Sequence, residues 1–277
     1  MKRSRIIFCL LLLIMAATTD RATADGPPGQ VAISPSLVEL SVDDGPVNGS
    51  IRMQNLKSEP VTVKVEVFNW TLDERNNVKL LPGDPQSLDR WLLISPLFFT
   101  IEPGSSQVIR YSVRPGVRPE PGEHRAMIYL SEQGEGHGPE GQGFRIRFRY
   151  GLAMYGYSGS RRESAEIEGL SLDKGSLALK AVVRNTGNIH TRLTGSYAIW
   201  KPGSFPGFRQ MMKMIEEGQG GLRPEGLIAT GSLHSTPILP GQRRTITEPL
   251  GAAGPKEGCE VSIIGRIGGS RIEKMFQ

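Results

Sequence analysis

Cysteine is nearly absent from the sequence, with only Cys9 and Cys259 among 277 residues. Cys9 lies inside an apolar run near the N-terminus that has the character of a removable leader, so Cys259 is the single cysteine of the remaining chain. A single cysteine excludes an intramolecular disulfide. We expect Cys259 to be a small buried apolar side chain rather than a reactive thiol.

The short motifs that mark several enzyme classes are absent too. The four histidines show no pair at metal-ligand spacing, and neither His-Glu-x-x-His, Gly-x-Ser-x-Gly nor a Walker-type motif occurs. Gly136, Gly138 and Gly141 match the dinucleotide fingerprint in spacing, but no predicted helix follows them to bind a pyrophosphate. We predict that the protein is not an enzyme and holds no metal or cofactor. A hydrolase site assembled from distant positions stays open as an alternative.

The excess of basic residues does not predict a nucleic-acid partner, because much of it lies at the N-terminus. Lys2, Arg3 and Arg5 precede an apolar run of about a dozen residues and the small-residue site 22–24, a pattern typical of a secretory signal peptide. Without residues 1–24 the chain has 253 residues, with 29 basic and 27 acidic side chains, and no basic footprint. The apolar run is also too short to span a membrane, which predicts an exported protein without a transmembrane segment.

Glycine and proline are plentiful and set the rhythm of the chain. The 34 glycines and 20 prolines separate short stretches of alternating apolar and polar residues, and helical periodicity is nearly lacking. This pattern predicts an all-β protein. The length suits two cores, so we predict two immunoglobulin-like β-sandwich domains in tandem, 25–157 and 158–277, after a signal peptide of residues 1–24.

The alternation also predicts the individual elements. In the first domain it indicates strands at 31–40, 48–54, 61–71, 98–102, 107–114, 123–130 and 144–155. In the second it indicates strands at 165–172, 176–184, 191–200, 243–249, 260–267 and 271–276, and a short helix over 208–217. That helix lies within residues 201–222, whose role the pattern does not define.

The strand predicted over 144–155 separates its side chains sharply between two faces. Its even positions are all apolar, whereas its odd positions begin with Arg145, Arg147 and Arg149. A half-buried sandwich strand with solvated arginines accounts for this pattern. The alternative is a strand that adds itself to an incomplete sheet of another protein by β-augmentation, which the length of the strand, its aromatic residues and the glycine-rich loop before it favour.

Two segments carry a resemblance to a known family. Residues 99–110 read Phe-Thr-Ile-Glu-Pro-Gly-Ser-Ser-Gln-Val-Ile-Arg, and residues 123–130 read Glu-His-Arg-Ala-Met-Ile-Tyr-Leu. The first is similar to the apolar-x-Pro-Gly-x-x-Gln-x-x-Arg stretch of the periplasmic pilus chaperones, the PapD-like family. The second keeps the glutamate and the alternation of that family's signature, with His124 where a small hydroxyl residue or arginine is usual. The resemblance covers about residues 31–157, and residues 165–277 match in strand rhythm.

The resemblance implies a periplasmic chaperone that lends an edge strand to pilus subunits lacking their own last strand, without ATP. The implied donor residues are Phe144, Ile146, Phe148, Tyr150 and Leu152. The implied partners are secreted pilus or fimbrial subunits and an outer-membrane usher.

The sequence departs from the family where the subunit's terminal carboxylate is bound. The family uses an arginine on its first strand and a lysine on its last, whereas the corresponding places here hold Leu37 and Gly151. Arg147 or Arg149 could replace them as a bidentate carboxylate fork. The alternative function is an exported structural or adhesive cell-surface protein of two Ig-like domains. In such a protein the apolar side chains at the even positions of 144–154, which we call the apolar stripe, would be buried.

Overall fold

The chain folds almost entirely into β-strands. The computed structural model describes residues 31–73, 76–134, 147–217, 224–234, 236–251 and 258–277. Within these residues the first ten strands are β1 (Val31–Ser34), β2 (Leu37–Ser41), β3 (Val47–Asn55), β4 (Val61–Leu72), β5 (Val78–Leu81), β6 (Leu92–Ser95), β7 (Phe98–Ile101), β8 (Ser106–Val113), β9 (Gly122–Gln133) and β10 (Arg149–Ser158). One helical turn, α1 (Leu88–Trp91), precedes β6.

A second group of strands follows in the same chain. They are β11 (Ala165–Asp173), β12 (Ala178–Asn185), β13 (Thr194–Trp200), β14 (Leu227–His234), β15 (Arg243–Pro249), β16 (Glu260–Ile267) and β17 (Ser270–Phe276). A helix, α2 (Phe208–Glu217), lies between β13 and β14 and coincides with the predicted helix.

The sheet topology confirms the predicted fold class. In the first sandwich the sheet β1-β3-β8-β6 faces the sheet β2-β10-β9-β4-β5, with β7 also pairing β4. This is the A-B-E-D and A′-G-F-C-C′ order of an immunoglobulin-like sandwich. The second sandwich has the sheets β11-β12-β15 and β14-β13-β16-β17, which correspond to A-B-E and C′-C-F-G.

The predicted strand 31–40 is two strands, because the chain crosses between sheets in its middle. β1 pairs antiparallel with β3 in one sheet, whereas β2 pairs parallel with β10 in the other. Pro35 lies at the crossing, where its missing N–H removes a ladder hydrogen bond. As a result β2 reaches β10 only from Leu37 onward.

Alternating side chains build a separate core in each sandwich. In β4 the residues Val61, Val63 and Val65 are buried, as their period-two spacing predicts. From β10, Leu152 and Met154 enter the same core and are fully buried. The second core is built from residues of β12, β13, β15 and β16, with Leu193 and Leu250 beside them.

The sequence prediction missed three short strands and one helical turn. β5, β6, β14 and α1 lack a clear apolar alternation, and in β5 both Val78 and Leu80 are exposed. The last strand of the first sandwich begins at Arg149 rather than at the predicted 144, since residues 147 and 148 lie outside the strand and 135–146 lie outside the described residues.

The burial of Leu152 generates a stability prediction. Leu152→Ala should lower the free energy of unfolding by about 2–5 kcal/mol, because it removes buried methyl groups and leaves a cavity. Leu93→Ala is the matched control: Leu93 is 60% exposed, and its replacement should change stability by less than about 0.5 kcal/mol. Urea unfolding of both variants measures the difference. Equal effects would contradict the assignment of Leu152 to the core.

Candidate functional site

β10 has a partner along its whole length on one side and along half its length on the other. It pairs with β9 from Arg149 opposite Ser131 to Ser158 opposite Gly122. On the other side β2 covers only Ala153–Tyr157. Within the described residues, no strand pairs with the second edge of residues 149–152. We call residues 147–152 the open segment.

The apolar side chains of the open segment become more deeply buried toward its C-terminal end. Phe148 and Tyr150 are half-buried and pack against the first core, whereas Leu152 is fully buried within it. Of the predicted donor residues, Phe148 and Tyr150 therefore retain accessible surface, and Leu152 is a core residue of this chain. Phe144 and Ile146 lie outside the described residues.

The two arginines predicted as carboxylate anchors are exposed on the opposite face of the open segment. The guanidinium carbon of Arg149 lies 4.0 Å from the centre of the Tyr129 ring, which is cation–π geometry. Both arginines are exposed, and no described carboxylate forms an ion pair with either of them. The stack on Tyr129 restrains Arg149 while its N–H groups stay available to an anion.

Leu37 and Gly151 are the two positions that the resemblance aligns with the carboxylate-binding residues of the pilus chaperones, and the structure shows the surroundings of both. A Cβ at Gly151 would lie 3.1 Å from the sulfur of Met127 and 3.2 Å from Cε1 of Tyr129, so a long side chain there would displace both. Leu37 is 42% exposed and lies opposite Ala153 in the parallel pair. Neither position can bind an anion through its side chain, which leaves Arg147 and Arg149 as the nearby cations of the open segment.

An apolar cluster joins the two sandwiches on the same sheet. Leu239 of the second sandwich is fully buried among Trp70, Met127, Tyr155 and Tyr157 of the first. Burial raises the pKa of Tyr155 to about 12, which keeps its hydroxyl neutral within the contact. The cluster covers the part of the sheet next to the open segment. It also forms one wall of a cleft between the two sandwiches, which is described below.

A buried carboxylate holds the second sandwich beside this cluster. One oxygen of Glu123 accepts hydrogen bonds from the backbone N–H of His190 at 2.8 Å and from its Nδ1 at 2.6 Å, and the other accepts from Arg125 at 3.0 Å. Burial raises the pKa of Glu123, but the hydrogen bonds and charges of His190 and Arg125 outweigh it and hold the pKa below its ordinary value. No pattern in the sequence predicted a role for His190, which follows an irregular turn.

Arg244 of the second sandwich makes a third contact of this interface. Although nearly buried, it donates hydrogen bonds to the carbonyl oxygens of Leu72 and Asp73 at the end of β4. Its neighbour Gln242 donates to Thr71 at 2.9 Å. Side chains of the second sandwich thus form hydrogen bonds with polar groups at the end of β4 in the first sandwich. These directional bonds specify how the two sandwiches are placed relative to each other.

The cleft between the sandwiches carries charges of both signs. It has a volume of about 410 Å³, and its lining includes Glu39, Tyr157, Arg192 and Arg266. The Tyr157 hydroxyl donates to Glu39 at 2.8 Å, and burial raises the pKa of Tyr157 well above its usual range. Mixed charges of this kind give the cleft no strong preference for an anion or a cation.

Two further observations concern the described residues alone. No three histidine, cysteine, aspartate or glutamate side chains among them come together in a way that could hold a metal ion. None of the helices there has the length and apolar character needed to cross a membrane.

Comparison with known proteins gives matches to solved structures only. No protein-family model and no curated protein matches the chain. The YadV chaperone is 14% identical with a TM-score of 0.45, over 90% of this chain and 99% of that one. The CsuC–CsuE chaperone–tip adhesion subunit complex of Acinetobacter baumannii matches at 12% identity with a TM-score of 0.47, over 89% of this chain and 98% of that one. The Salmonella enterica SafA pilin in complex with the SafB chaperone matches at 13% identity with a TM-score of 0.44, over 89% of this chain and 95% of that one.

The Glu123 contact predicts a pH-dependent stability. Glu123→Gln should lower the free energy of unfolding at pH 7 by about 1–3 kcal/mol, since it removes charge-assisted hydrogen bonds. Because folding lowers the pKa of Glu123, its contribution is fully present above the ordinary value of 4.5 and is lost as the pH falls through the folded value. The difference between variant and parent should therefore shrink below pH 4.5.

Denaturant unfolding from pH 7 downward measures this difference. Glu66→Gln is the control, because Glu66 forms a solvent-exposed pair with Lys64 at 2.9 Å and should contribute little at any pH. A difference between Glu123→Gln and parent that stays constant through the acid range would contradict the prediction.

Proposed function

We propose that the chain is a periplasmic chaperone that binds secreted β-proteins by adding its own β10 edge to their incomplete sheets. The observation that carries the proposal is the open segment, where β10 has no strand on its second edge among the described residues, although β2 and β9 cover Ala153–Tyr157 on both sides. An exposed strand edge of this kind is a template for pairing with another chain. Such binding requires no ATP and no cofactor.

The chemistry of the open segment suits this mode of binding. The main-chain N–H and C=O groups of Arg149 and Gly151 point away from β9, and within the described residues no strand pairs with them, so they can supply hydrogen bonds that do not depend on the client's sequence. Phe148 and Tyr150 retain accessible apolar surface that a client groove can bury. Ile146 and Phe144 continue the same alternation in the sequence. The proposed donor set is therefore Phe144, Ile146, Phe148 and Tyr150, and it ends before the fully buried Leu152.

The resemblance of residues 99–110 and 123–130 to the pilus chaperones supports pilus or fimbrial subunits as the clients and an outer-membrane usher as a further partner. In this proposal residues 1–24 are the export signal. Residues 25–157 and 158–277 are the two domains of this proposal.

A structural or adhesive cell-surface protein is the second candidate, and the burial of Leu152 and Met154 favours it. Both side chains are fully buried, so this half of the stripe serves the chain's own core. The two functions differ in what the N-terminal half of the stripe does. Only the chaperone needs Ile146 and Phe148 for binding another protein.

The first experiment tests client capture. The protein with a C-terminal tag, isolated from the periplasm of its own host while surface fibres are being made, should carry a small secreted β-protein in one-to-one amount. Replacing Ile146 and Phe148 together by Ser should remove that protein and leave the fold intact, because the half-buried Phe148 contributes less to the core than Leu152 and Met154. The Ile167→Ser and Ile215→Ser double variant is the control, since both side chains are 38% exposed in the second sandwich.

Co-purification and the circular-dichroism spectrum are measured for all three proteins. A parent protein that carries no client from fibre-making cells would sink the chaperone function and favour the structural one. Unfolding of the Ile146→Ser and Phe148→Ser double variant would assign the whole stripe to the core.

Arg149 generates a separate prediction, because its guanidinium group is the restrained cation beside the donor strand. If it binds the client's terminal carboxylate, Arg149→Gln should weaken client affinity about tenfold, the loss expected for a charge-assisted bidentate contact. Arg52→Gln is the control, since Arg52 is exposed on the other sheet. Calorimetric titration with the purified client measures both. Equal affinities of the two variants would assign Arg149 to a solvated face.

A further inference from the structure

A shielded ion pair lies where the pairing of β9 and β10 ends. Glu132 of β9 and Lys57, which follows β3, form it with an oxygen–nitrogen distance of 2.7 Å, and their side chains are only 10% and 13% exposed. The Lys64–Glu66 pair on the neighbouring strand has a similar distance of 2.9 Å but is 50% and 31% exposed. Exposed pairs contribute little to stability. A pair as well shielded from solvent as Lys57–Glu132 costs desolvation free energy, which only a well-defined hydrogen-bonded geometry offsets.

Glu132 also contacts the backbone at the start of the open segment. Its N–H donates to the carbonyl oxygen of Phe148 at 3.0 Å, as in a regular antiparallel pair. The return bond is different, because the N–H of Phe148 donates to the Glu132 carboxylate at 3.3 Å rather than to the Glu132 carbonyl. The side chain of Glu132 thus closes the hydrogen-bond ladder at Phe148, one residue before β10 begins.

Lys57 is in turn positioned by a fully buried side chain. Asn55 accepts a hydrogen bond from the N–H of Lys57 at 2.9 Å, and its amide donates to the carbonyl oxygens of Glu59 at 2.8 Å and Ile101 at 2.9 Å. The Lys57 ammonium lies 5.8 Å from the centre of the Phe148 ring. A continuous set of contacts therefore runs from the sandwich core through Lys57 to both the ring and the backbone of Phe148.

We propose that Lys57 and Glu132 are positioning residues that lock the register of β10 against β9. Register decides which side chains point inward, because a shift of one residue exchanges the two faces of a strand. A short hairpin turn would set the register by itself. Here the strands are joined through residues 134–148, so a separate device is needed. With the lock in place Phe148 and Tyr150 face the core side and Arg149 faces outward; that this presents a donor strand rests on the proposed function.

A disulfide between strands reports the register directly. Ser131 and Arg149 are opposite each other, next to the hydrogen-bonded pair 132–148, so they form the close, non-hydrogen-bonded type of pair that a disulfide can bridge. In a Cys259→Ser background, Ser131→Cys with Arg149→Cys should crosslink nearly completely. Ser131→Cys with Tyr150→Cys, which reports a slip of one residue, should crosslink poorly.

Glu132→Gln or Lys57→Met should raise the ratio of slipped to native crosslink about tenfold, the effect of losing one charge-assisted hydrogen bond. Lys57→Arg keeps the charge and should preserve the native ratio, as should the exposed control Glu66→Gln. If the pair only stabilises the sandwich, Glu132→Gln will lower the melting temperature with an unchanged crosslink ratio, and the register lock is then wrong.

The crosslink is measured without a client, which separates the two proposals. A parent protein with a locked register that captures no client would refute the chaperone function and leave the lock in place. If the parent captures its client, and the Glu132→Gln and Lys57→Met variants crosslink like the parent, the register lock alone is refuted.

Discussion

The open segment depends on the point at which the chain leaves the sheet of β1 and enters the sheet of β2. Pro35 lies at that crossing, and β2 consequently begins to pair with β10 only at Leu37. Backbone N–H and C=O groups are obligatory hydrogen-bonding groups. Arg149 and Gly151, whose groups point away from β9, therefore present unmet pairing capacity along one edge within the described residues. A crossing two residues earlier would cover Gly151 as well. The length of the open segment is therefore set by a proline on a different strand.

The second sandwich acts on the same sheet by fixing what lies beside that edge. Leu239 contacts the first sandwich by apolar packing, His190 by hydrogen bonds to the buried Glu123 carboxylate, and Arg244 by hydrogen bonds to carbonyl groups. Directional contacts of this kind define one orientation, whereas apolar packing alone tolerates sliding. The cleft is consequently a preformed surface, and a client that binds the open segment does not have to order the two sandwiches first.

Period-two alternation was enough to predict the architecture, and it failed where burial does not alternate. β4 and β15 follow the expected spacing because one face of each is buried, while β5 is exposed along most of its length and gave no signal. The even-numbered side chains of the last strand were predicted as one unit, yet Phe148 is half-buried and Leu152 is fully buried, a difference that the alternation does not encode. Lys57, Glu132 and His190 were not predicted at all. Their roles arise from contacts between residues 67 to 75 positions apart, which no local pattern encodes.

The gradient of burial along β10 is consistent with the proposal that one strand belongs to its own sandwich and also binds another protein. Leu152 and Met154 anchor the strand in the core, so its C-terminal half cannot leave without unfolding the domain. Phe148 and Tyr150 contact the same core only in part, so further apolar surface can be buried there without loss of the fold. An edge that is anchored at one end and held in register at the other is already ordered before it binds. Ordering a flexible segment costs free energy on association, and a fixed strand avoids most of that cost.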